Sequence, residues 1–294
     1  MSKILITGAT GHFGTATINT LLQKGINANQ IFALVRDENK AADLKTKGIN
    51  IVKGDYEDYA SLVSAFKGVD KLLFISASDV PKRLPQHENV VNAAKEAGVK
   101  HVVYTSFERK NETQTSPLWM LAEAHLNTEK LLKEGGLEYT ILRDNLYMDF
   151  IPGFVGEKVL ETGTIYLPAG SGKASVALRS EMAEATANLL TSSGHENKTY
   201  HFANTEAYTY SDVAAYISEL TGKEIQYISP SAEEYTQTLT NAGVPPDYIS
   251  MFAGFAIAQA QGDLENVSND LENMLGRKPT SLKEFLKTIY TSNN

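Results

Sequence analysis

The stretch ILITGATGHFG at residues 4–14 decides the fold of this chain. It opens with apolar and β-branched residues, as a buried strand does, and continues with glycines spaced G-x-x-G-x-x-G. A dinucleotide pyrophosphate needs a tight turn after a strand, a backbone that it can approach, and free N–H groups at a helix N-terminus. The stretch therefore predicts a nucleotide-binding turn, and an ordinary glycine-rich turn is the alternative. The residues expected to line it are Gly8, Thr10, Gly11, His12, Phe13 and Gly14.

A regular alternation of elements continues outward from this turn. Runs that are apolar on both faces predict buried parallel strands at 3–7, 30–35, 49–53, 71–76, 101–105 and 139–142. Stretches of helical length lie between them, most ending at a glycine, at 14–24, 39–47, 59–66, 89–97 and 118–133. Strand–helix alternation of this kind predicts an α/β protein with a Rossmann-type, doubly wound parallel sheet.

The pattern loses its regularity after residue 143. Residues 146–177 are rich in proline and glycine, which predicts loops. A helix at 180–190 and a strand at 198–202 are expected to complete the sheet. Helices at 210–221, 232–242 and 280–291 and a strand at 224–228 follow. We thus predict a nucleotide-binding domain from 1–145 plus about 178–203, and a small substrate-binding lobe from 146–177 and 204–294.

Composition narrows the function classes. The chain has 294 residues, a net charge of -8 and no cysteine. Absence of cysteine excludes disulfides, thiolate metal sites and a cysteine nucleophile, and the remaining histidines lack ligand spacing, so no metal is expected. The acidic surface disfavours nucleic acid and anionic membranes. The apolar stretch 251–260 is too short to span a bilayer, and no signal peptide is visible, so we expect a cytoplasmic protein of undetermined oligomeric state.

Residues after the second, third and fourth predicted strands are candidates for contacts with the nucleotide and for selecting NADPH over NADH. Arg36 follows strand two and can pair with a 2′-phosphate, which favours NADPH over NADH; the alternative is that the next residue, Asp37, holds the ribose. Asp55 follows strand three, where a carboxylate can accept from adenine or simply form a turn. The small residues at the end of strand four would let the backbone lie along the nucleotide; they are Ser76, Ala77 and Ser78.

Further stretches resemble one known family. They lie at 6–11, 33–36, 54–56, 68–76, 86–90, 93–101, 104–106, 125–130, 139–143 and 194–200. Together they resemble the NmrA-like atypical short-chain dehydrogenase/reductases, and within them the bacterial quinone oxidoreductase 2 type and triphenylmethane reductases. The resemblance implies a flavin-independent, NADPH-binding oxidoreductase that acts on quinones or similar conjugated acceptors. It also implies that Asn145 and Tyr147, which match the family's Arg-x-Asn-x-x-Tyr-like segment in part, lie at the site.

The usual proton-transfer pair of short-chain dehydrogenases is missing. Its Tyr-x-x-x-Lys positions fall on Leu121 and His125, which share a helical face with Glu129. A quinone suits this site, because its reduced form is a hydroquinone anion stabilised by aromaticity. His125 can donate a proton or bind the nicotinamide ribose. The candidate catalytic residues are therefore His125, Asn145 and Tyr147.

Other interpretations stay open. An NmrA-like sensor that binds NADP(H) without turnover would also lack the Tyr and Lys, and a dye or azo compound could replace the quinone. Ser106 could orient a substrate oxygen or be a satisfied strand-end hydroxyl. His87, His101, His195 and His201 are interpreted as surface or capping residues. The aromatic residues that could wall a flat acceptor, or serve only as packing, are Trp119, Tyr147, Phe150, Phe154, Phe252 and Phe255.

Overall fold

The computed structural model describes residues 2–291. Its strands are β1 (Ile4–Ile6), β2 (Ile31–Val35), β3 (Asn50–Lys53), β4 (Lys71–Phe74), β5 (His101–Phe107), β6 (Glu138–Asp144), β7 (Thr164–Tyr166), β8 (Lys198–Phe202) and β9 (Gln226–Ile228). Seven of them form one sheet in the order β3-β2-β1-β4-β5-β6-β8, and every pair in it is parallel. This doubly wound order confirms the predicted Rossmann-type fold.

Helices cover both faces of the sheet. They are α1 (His12–Gln23), α2 (Ala42–Thr46), α3 (Tyr59–Phe66), α4 (Arg83–Glu96), α5 (Trp119–Glu134), α6 (Ile151–Val155), α7 (Val159–Thr162), α8 (Arg179–Leu190), α9 (Tyr210–Thr221), α10 (Ala232–Asn241), α11 (Pro246–Ala260), α12 (Asp270–Leu275) and α13 (Leu282–Tyr290). One face packs on α3, α4 and α5, and the other on α1, α8 and α12. Among residues 2–291, none of the helices is long and apolar enough to cross a membrane.

The two-sided burial explains the continuous apolar runs in the sequence. On β1, Leu5 faces the cluster of α3, α4 and α5, whereas Ile4 and Ile6 face the opposite cluster with α1 and α8. Side chains alternate between the faces of a strand, so a strand covered on both sides needs an apolar residue at every position. The strand order reverses between β2 and β4, the two neighbours of β1. Ligands bind at the carboxyl edge beside such a reversal.

Several elements differ from the sequence expectations. The predicted helix at 39–47 is a 3₁₀ turn, Glu38–Ala41, followed by the short α2. Helix α4 begins at Arg83, well before the predicted start, because Pro85 lies in the first helical turn, where its missing N–H costs nothing. The region 146–177 is not all loop, since α6, α7 and β7 lie in it. Helix α12 was not predicted.

A separate apolar cluster lies beyond the sheet. It joins α6 and β7 to α9, β9, α11 and α13, and its centre includes Ile165, Ile217 and Leu286. Strands β7 and β9 pair in parallel within it. Helix α12, however, returns to the sheet: Leu271 is fully buried in the α1–α8 cluster, and Asn188 Nδ2 donates to Met274 O at 2.8 Å. The division of the chain into a domain and a lobe remains a prediction.

Candidate functional site

The glycine turn has the geometry that close approach to a ligand requires. Gly8 has a φ of +57°, a left-handed conformation that side chains disfavour. A Cβ on Gly14 would lie 2.5 Å from Gly8 O, so this glycine allows α1 to pack against the end of β1. A Cβ on Gly11 would meet only Gly8 O, at 3.2 Å. Gly11 is exposed, so its missing side chain leaves room outside the turn rather than within the core.

The first turn of α1 leaves amide groups unpaired. Gly11 occupies the N-cap position and provides no side-chain acceptor. The N–H groups of His12, Phe13 and Gly14 donate to no acceptor among residues 2–291. The side chain of Phe13 is buried in the core, so only its amide can serve a ligand, while Thr10 and His12 are exposed at the turn. Unpaired amides at a helix N-terminus suit a phosphate group.

A partly buried tyrosine, Tyr56, connects the strand ends beneath this turn. The hydroxyl of Tyr56 donates to Ile75 O at 2.8 Å and contacts the hydroxyl of Thr7. Thr7 Oγ1 in turn accepts from Ile75 N at 2.9 Å. Burial raises the pKa of Tyr56, so it remains a neutral donor. Sequence reasoning missed this contact, which holds β1, β4 and the segment after β3 in fixed positions.

Arg36 and Asp37 differ in whether their side chains already have a partner within the protein. Asp37 caps the following 3₁₀ turn, with its Oδ1 accepting from Asn39 N at 3.0 Å. Arg36 is exposed at the end of β2 and forms no ion pair or hydrogen bond within the described chain. Asp55 also makes a turn contact, from Glu57 N to Oδ1 at 3.0 Å, which leaves its second oxygen available. The cradle of unpaired amides and the free guanidinium fit NADP(H).

The segment after β4 is anchored on three sides. Ser76 N donates to Thr105 Oγ1 at 3.0 Å, and Ala77 N donates to His87 Nε2 at 3.0 Å. Arg83 Nε donates to Ala77 O at 2.6 Å. Ser78 is exposed. The backbone of this segment is thus fixed by side chains from β5 and α4 before any ligand arrives.

His87 is buried, so its interpretation as a surface residue is wrong. Because Ala77 N–H can only donate, His87 Nε2 accepts and the proton of the neutral ring lies on Nδ1. Nδ1 then donates to Thr128 Oγ1 at 2.9 Å, which itself donates to Ala124 O. Burial and the charge of Arg83 lower the pKa of His87 to about 3, so the ring stays neutral. His101 is buried as well.

The orientation of His87 determines that of His125. Tyr104 Oη lies 3.3 Å from the protonated His87 Nδ1 and 2.6 Å from His125 Nδ1. We assign the hydroxyl as the donor to His125 Nδ1, an arrangement that leaves the proton of the neutral His125 ring on Nε2. Burial, with nearby Arg83, lowers the pKa of His125 well below 6.5. His125 Nε2–H has no partner among residues 2–291, so this predicted site residue is a neutral donor with one free N–H.

Asn145 and Tyr147 have different surroundings. Asn145 is buried; its Nδ2 donates to Leu264 O at 3.1 Å and its Oδ1 accepts from Leu146 N at 2.7 Å. We therefore leave it out of the catalytic set proposed below. Tyr147 is partly exposed and lies under the guanidinium of Arg179, 5.4 Å from the ring centroid. Burial raises the pKa of its hydroxyl, so it too is protonated at neutral pH.

Ser106 is committed to a buried ionic cluster. Its hydroxyl donates to Glu129 Oε1 at 2.6 Å, and the same carboxylate pairs with Arg109 at 3.0 Å and Arg143 at 2.7 Å. Burial would raise the pKa of Glu129, but the two guanidinium groups lower it overall. The interpretation of Ser106 as a satisfied strand-end hydroxyl is confirmed. The cluster holds α5 against β5 and β6 and so positions His125.

Aromatic side chains flank His125. The Phe107 ring lies 6.2 Å from the His125 ring and 6.0 Å from Phe255. The ring centroid of Phe255 lies 6.1 Å from that of Phe154, which is buried and packs in the core. A second group stands at the end of β6, where Tyr147 lies 5.9 Å from the half-exposed Phe150. Trp119 and Phe252 are partly exposed. These rings could contact a flat acceptor on the lobe side of His125.

A separate cavity lies away from these residues. Its volume is about 520 Å³, and it is lined by the segment after β8 and the start of α13, including Asn204, Glu206 and Ser281. None of the predicted site residues contributes to it. The residues 2–291 contain no group of three or more His, Asp or Glu side chains that could hold a metal ion. The convergence of the glycine turn, the segment after β4 and His125 therefore defines the candidate site.

Comparison with known proteins agrees with this geometry. The model of the NmrA-like family matches residues 1–286. The chain belongs to the NmrA-like family. It is 39% identical to Quinone oxidoreductase 2 of Escherichia coli (strain K12) over 291 residues, which cover 99% of this chain and 100% of that protein. The family predicted from the sequence is thus confirmed.

Solved structures of relatives extend the similarity to three dimensions. The complex of E. coli NADPH-dependent quinone oxidoreductase QOR2 with NADPH matches with a TM-score of 0.91 and 38% identity, covering 98% of this chain and 99% of that one. Citrobacter sp. triphenylmethane reductase complexed with NADP(H) matches with a TM-score of 0.88 and 39% identity, covering 97% and 99%. These similarities confirm the prediction of a quinone-reductase-like oxidoreductase that binds NADP(H).

Proposed function

We propose that this protein transfers a hydride from NADPH to a quinone or a similar conjugated acceptor without a flavin. The observation that carries the proposal is that unpaired amides and a free guanidinium suited to NADP(H) occur together with a site that lacks the Tyr-x-x-x-Lys proton-transfer pair. Leu121 stands where the tyrosine would be, and His125 is held neutral. E. coli QOR2, which shares this fold, is an NADPH-dependent quinone oxidoreductase.

Each part of the site has a distinct task in this proposal. Bound NADPH supplies the hydride. The amides at the start of α1 bind its pyrophosphate, and Arg36 binds its 2′-phosphate. The anchored segment 76–78 orients the nicotinamide half, so the reacting face is fixed before the acceptor arrives. His125 donates a hydrogen bond from Nε2, and the proton that completes a hydroquinone comes from water.

Turnover with a defined panel tests the proposal. We expect the purified protein to oxidise NADPH in the presence of benzoquinone, naphthoquinone and a triphenylmethane dye, with no flavin absorbance and with hydroquinone as the product. A flavin-loaded protein, or superoxide as the main product, would contradict direct hydride transfer. No NADPH oxidation with any of the acceptors, together with tight NADPH binding, would favour the sensor function instead.

The neutral state of His125 gives a specific pH dependence. Since its folded pKa lies well below 6.5, it is uncharged throughout the range from weakly acidic to neutral pH. We expect kcat/KM for quinone reduction to show no inflection near the usual histidine pKa. His125→Ala should lower kcat/KM by about 2- to 13-fold, the loss of one neutral hydrogen bond of about 0.5–1.5 kcal/mol.

Two outcomes would count against this role of His125. An acid limb in the native pH profile that disappears in His125→Ala would mean that the imidazolium delivers a proton. Equal kcat/KM in both proteins would mean that the ring is structural only. Leu121→Tyr is the companion variant: it restores the missing hydroxyl but not the lysine, so we expect no increase in rate.

A further inference from the structure

Arg83 is a buried cation that no carboxylate neutralises. Its residue is 8% exposed, and Nε donates to the neutral carbonyl of Ala77. Its two terminal nitrogens form no hydrogen bond or ion pair with any of residues 2–291. The contrast is Arg109, also buried, whose guanidinium pairs with Glu129 at 3.0 Å. The terminal nitrogens of Arg83 are not among the fully buried atoms without a partner, so a ligand can reach them, and an anion there would pair with a largely desolvated charge.

Arg83 shares a helix face with His87, whose ring is next to that of His125. Arg83 and His87 are four residues apart on α4, which places them on one face of that helix. The His87 and His125 ring centroids are 6.1 Å apart. The charge of Arg83 acts on both rings and on Tyr147. The carboxylate that influences Arg83, Asp79, is exposed and not in contact with it. The site therefore combines a fixed positive charge with an N–H donor, and no carboxylate among residues 2–291 forms an ion pair with Arg83.

The hydrogen-bond chain gives this donor its direction. Ala77 N–H fixes the tautomer of His87, and the Tyr104 hydroxyl lies between the two rings. With Tyr104 assigned as the donor to His125 Nδ1, the His125 proton lies on Nε2, where no protein group among residues 2–291 accepts it. A neutral donor of this kind can stabilise a negative oxygen without taking up its charge.

We propose that Arg83 and the Nε2–H of His125 bind the oxygen of the acceptor on which negative charge develops. This inference rests on the proposed function. When a quinone takes up the hydride released by a C–H bond of the nicotinamide, it gains two electrons and one proton. Both carbonyl π bonds are lost as the ring becomes aromatic, one oxygen carries the new hydrogen, and the other carries the negative charge of a hydroquinone monoanion. NADPH is oxidised to NADP⁺ in the same step. The anionic oxygen rests on Arg83 and His125 until water supplies the second proton.

An arginine suits this task because it keeps its charge. Burial lowers its pKa, yet an arginine starts so far above neutrality that it stays protonated. A lysine at the same depth would tend to lose its proton. The acceptors favoured by such a site are those whose reduced form carries a resonance-stabilised oxyanion, so quinones and quinone methides should be preferred over simple ketones.

Binding of 4-nitrophenol tests the pair without turnover. Its deprotonated form is yellow, so absorbance across a pH series reports the pKa of the bound phenol. In the complex with NADP⁺, we expect this pKa to lie about 1–3 pH units below that of free nitrophenol, as an adjacent opposite charge produces. Arg83→Gln should remove most of the shift. Lys82→Gln, which deletes an exposed neighbouring charge paired with Glu57, should leave it intact.

The outcomes are decisive in each direction. No shift in the native protein, no nitrophenol binding, or an unchanged shift in Arg83→Gln would overturn the proposal. If the shift is intact in Arg83→Gln and NADP⁺ binding is weakened at least about 10-fold, the guanidinium binds a phosphate of the cofactor instead of the acceptor oxygen, and the proposal is wrong. If Arg83→Gln unfolds, Arg83→Met, which leaves no polar head to bury, replaces it. A shifted nitrophenol without quinone turnover would reject the proposed function and keep the oxyanion pair.

Discussion

Replacement of Gly11 by valine is expected to reduce NADPH affinity by at least about 100-fold while the protein stays folded. The side chain would project where the pyrophosphate must approach the amides of His12 and Phe13. Loss of two hydrogen bonds to a charged group, each worth about 1.5–3 kcal/mol, accounts for that magnitude. The backbone of Gly11 is extended, with φ of -81° and ψ of 169°, so a valine can adopt it, and the Cβ contact with Gly8 O at 3.2 Å requires only a small local shift.

Isothermal titration with NADPH and a thermal melt of the same sample separate the two effects. Gly14→Ala is the contrasting variant, because its Cβ would lie 2.5 Å from Gly8 O and 2.8 Å from Ala9 Cα. It should lower the melting temperature clearly, whereas Gly11→Val should change it little. Normal NADPH binding by Gly11→Val would mean that the turn serves the fold alone.

The Arg36→Ala variant is expected to lose most of the difference in affinity between NADPH and NADH. A charge-assisted hydrogen bond to the 2′-phosphate contributes about 1.5–3 kcal/mol, which is about 10- to 150-fold in affinity. Because Arg36 is exposed, the lower part of that range is expected at physiological salt. NADH lacks the 2′-phosphate, so its binding should stay nearly unchanged.

Titration of both nucleotides with native protein, Arg36→Ala and Lys45→Ala measures this preference. Lys45 is an exposed cation on the same segment and pairs with Glu38, so its removal controls for net charge. Loss of the preference in both variants would indicate a diffuse electrostatic effect. Equal affinities of the native protein for NADPH and NADH would contradict the role of Arg36 altogether.

Local signals explain why much of the fold was predictable. The helix at 59–66 and the strand at 198–202 have the predicted bounds, because their apolar spacing and flanking residues suffice to define them. The glycine turn is similarly local, since strand, turn and helix are contiguous. The prediction of loops at 146–177 was wrong because α6, α7 and β7 are short elements that depend on contacts with β9, α9 and α11.

The interior of the site was harder to predict for a different reason. His125 was identified by its position in the family pattern, but its protonation state depends on Ala77, His87 and Tyr104, which come from three other elements. Arg83 was missed entirely. One signal was available, the i,i+4 spacing of Arg83 and His87, but the burial that makes it informative is a property of the folded chain.

The return of α12 to the sheet restricts how the molecule can open. The polypeptide leaves the α1–α8 cluster after β6, rejoins it at α8, leaves it again after β8, rejoins it at α12 and leaves it once more for α13. A hinge would have to bend at all of these crossings together. Relative motion of the two apolar clusters is therefore opposed at several chain crossings rather than at one. A single proteolytic nick near Gly243 would accordingly leave both fragments tied together.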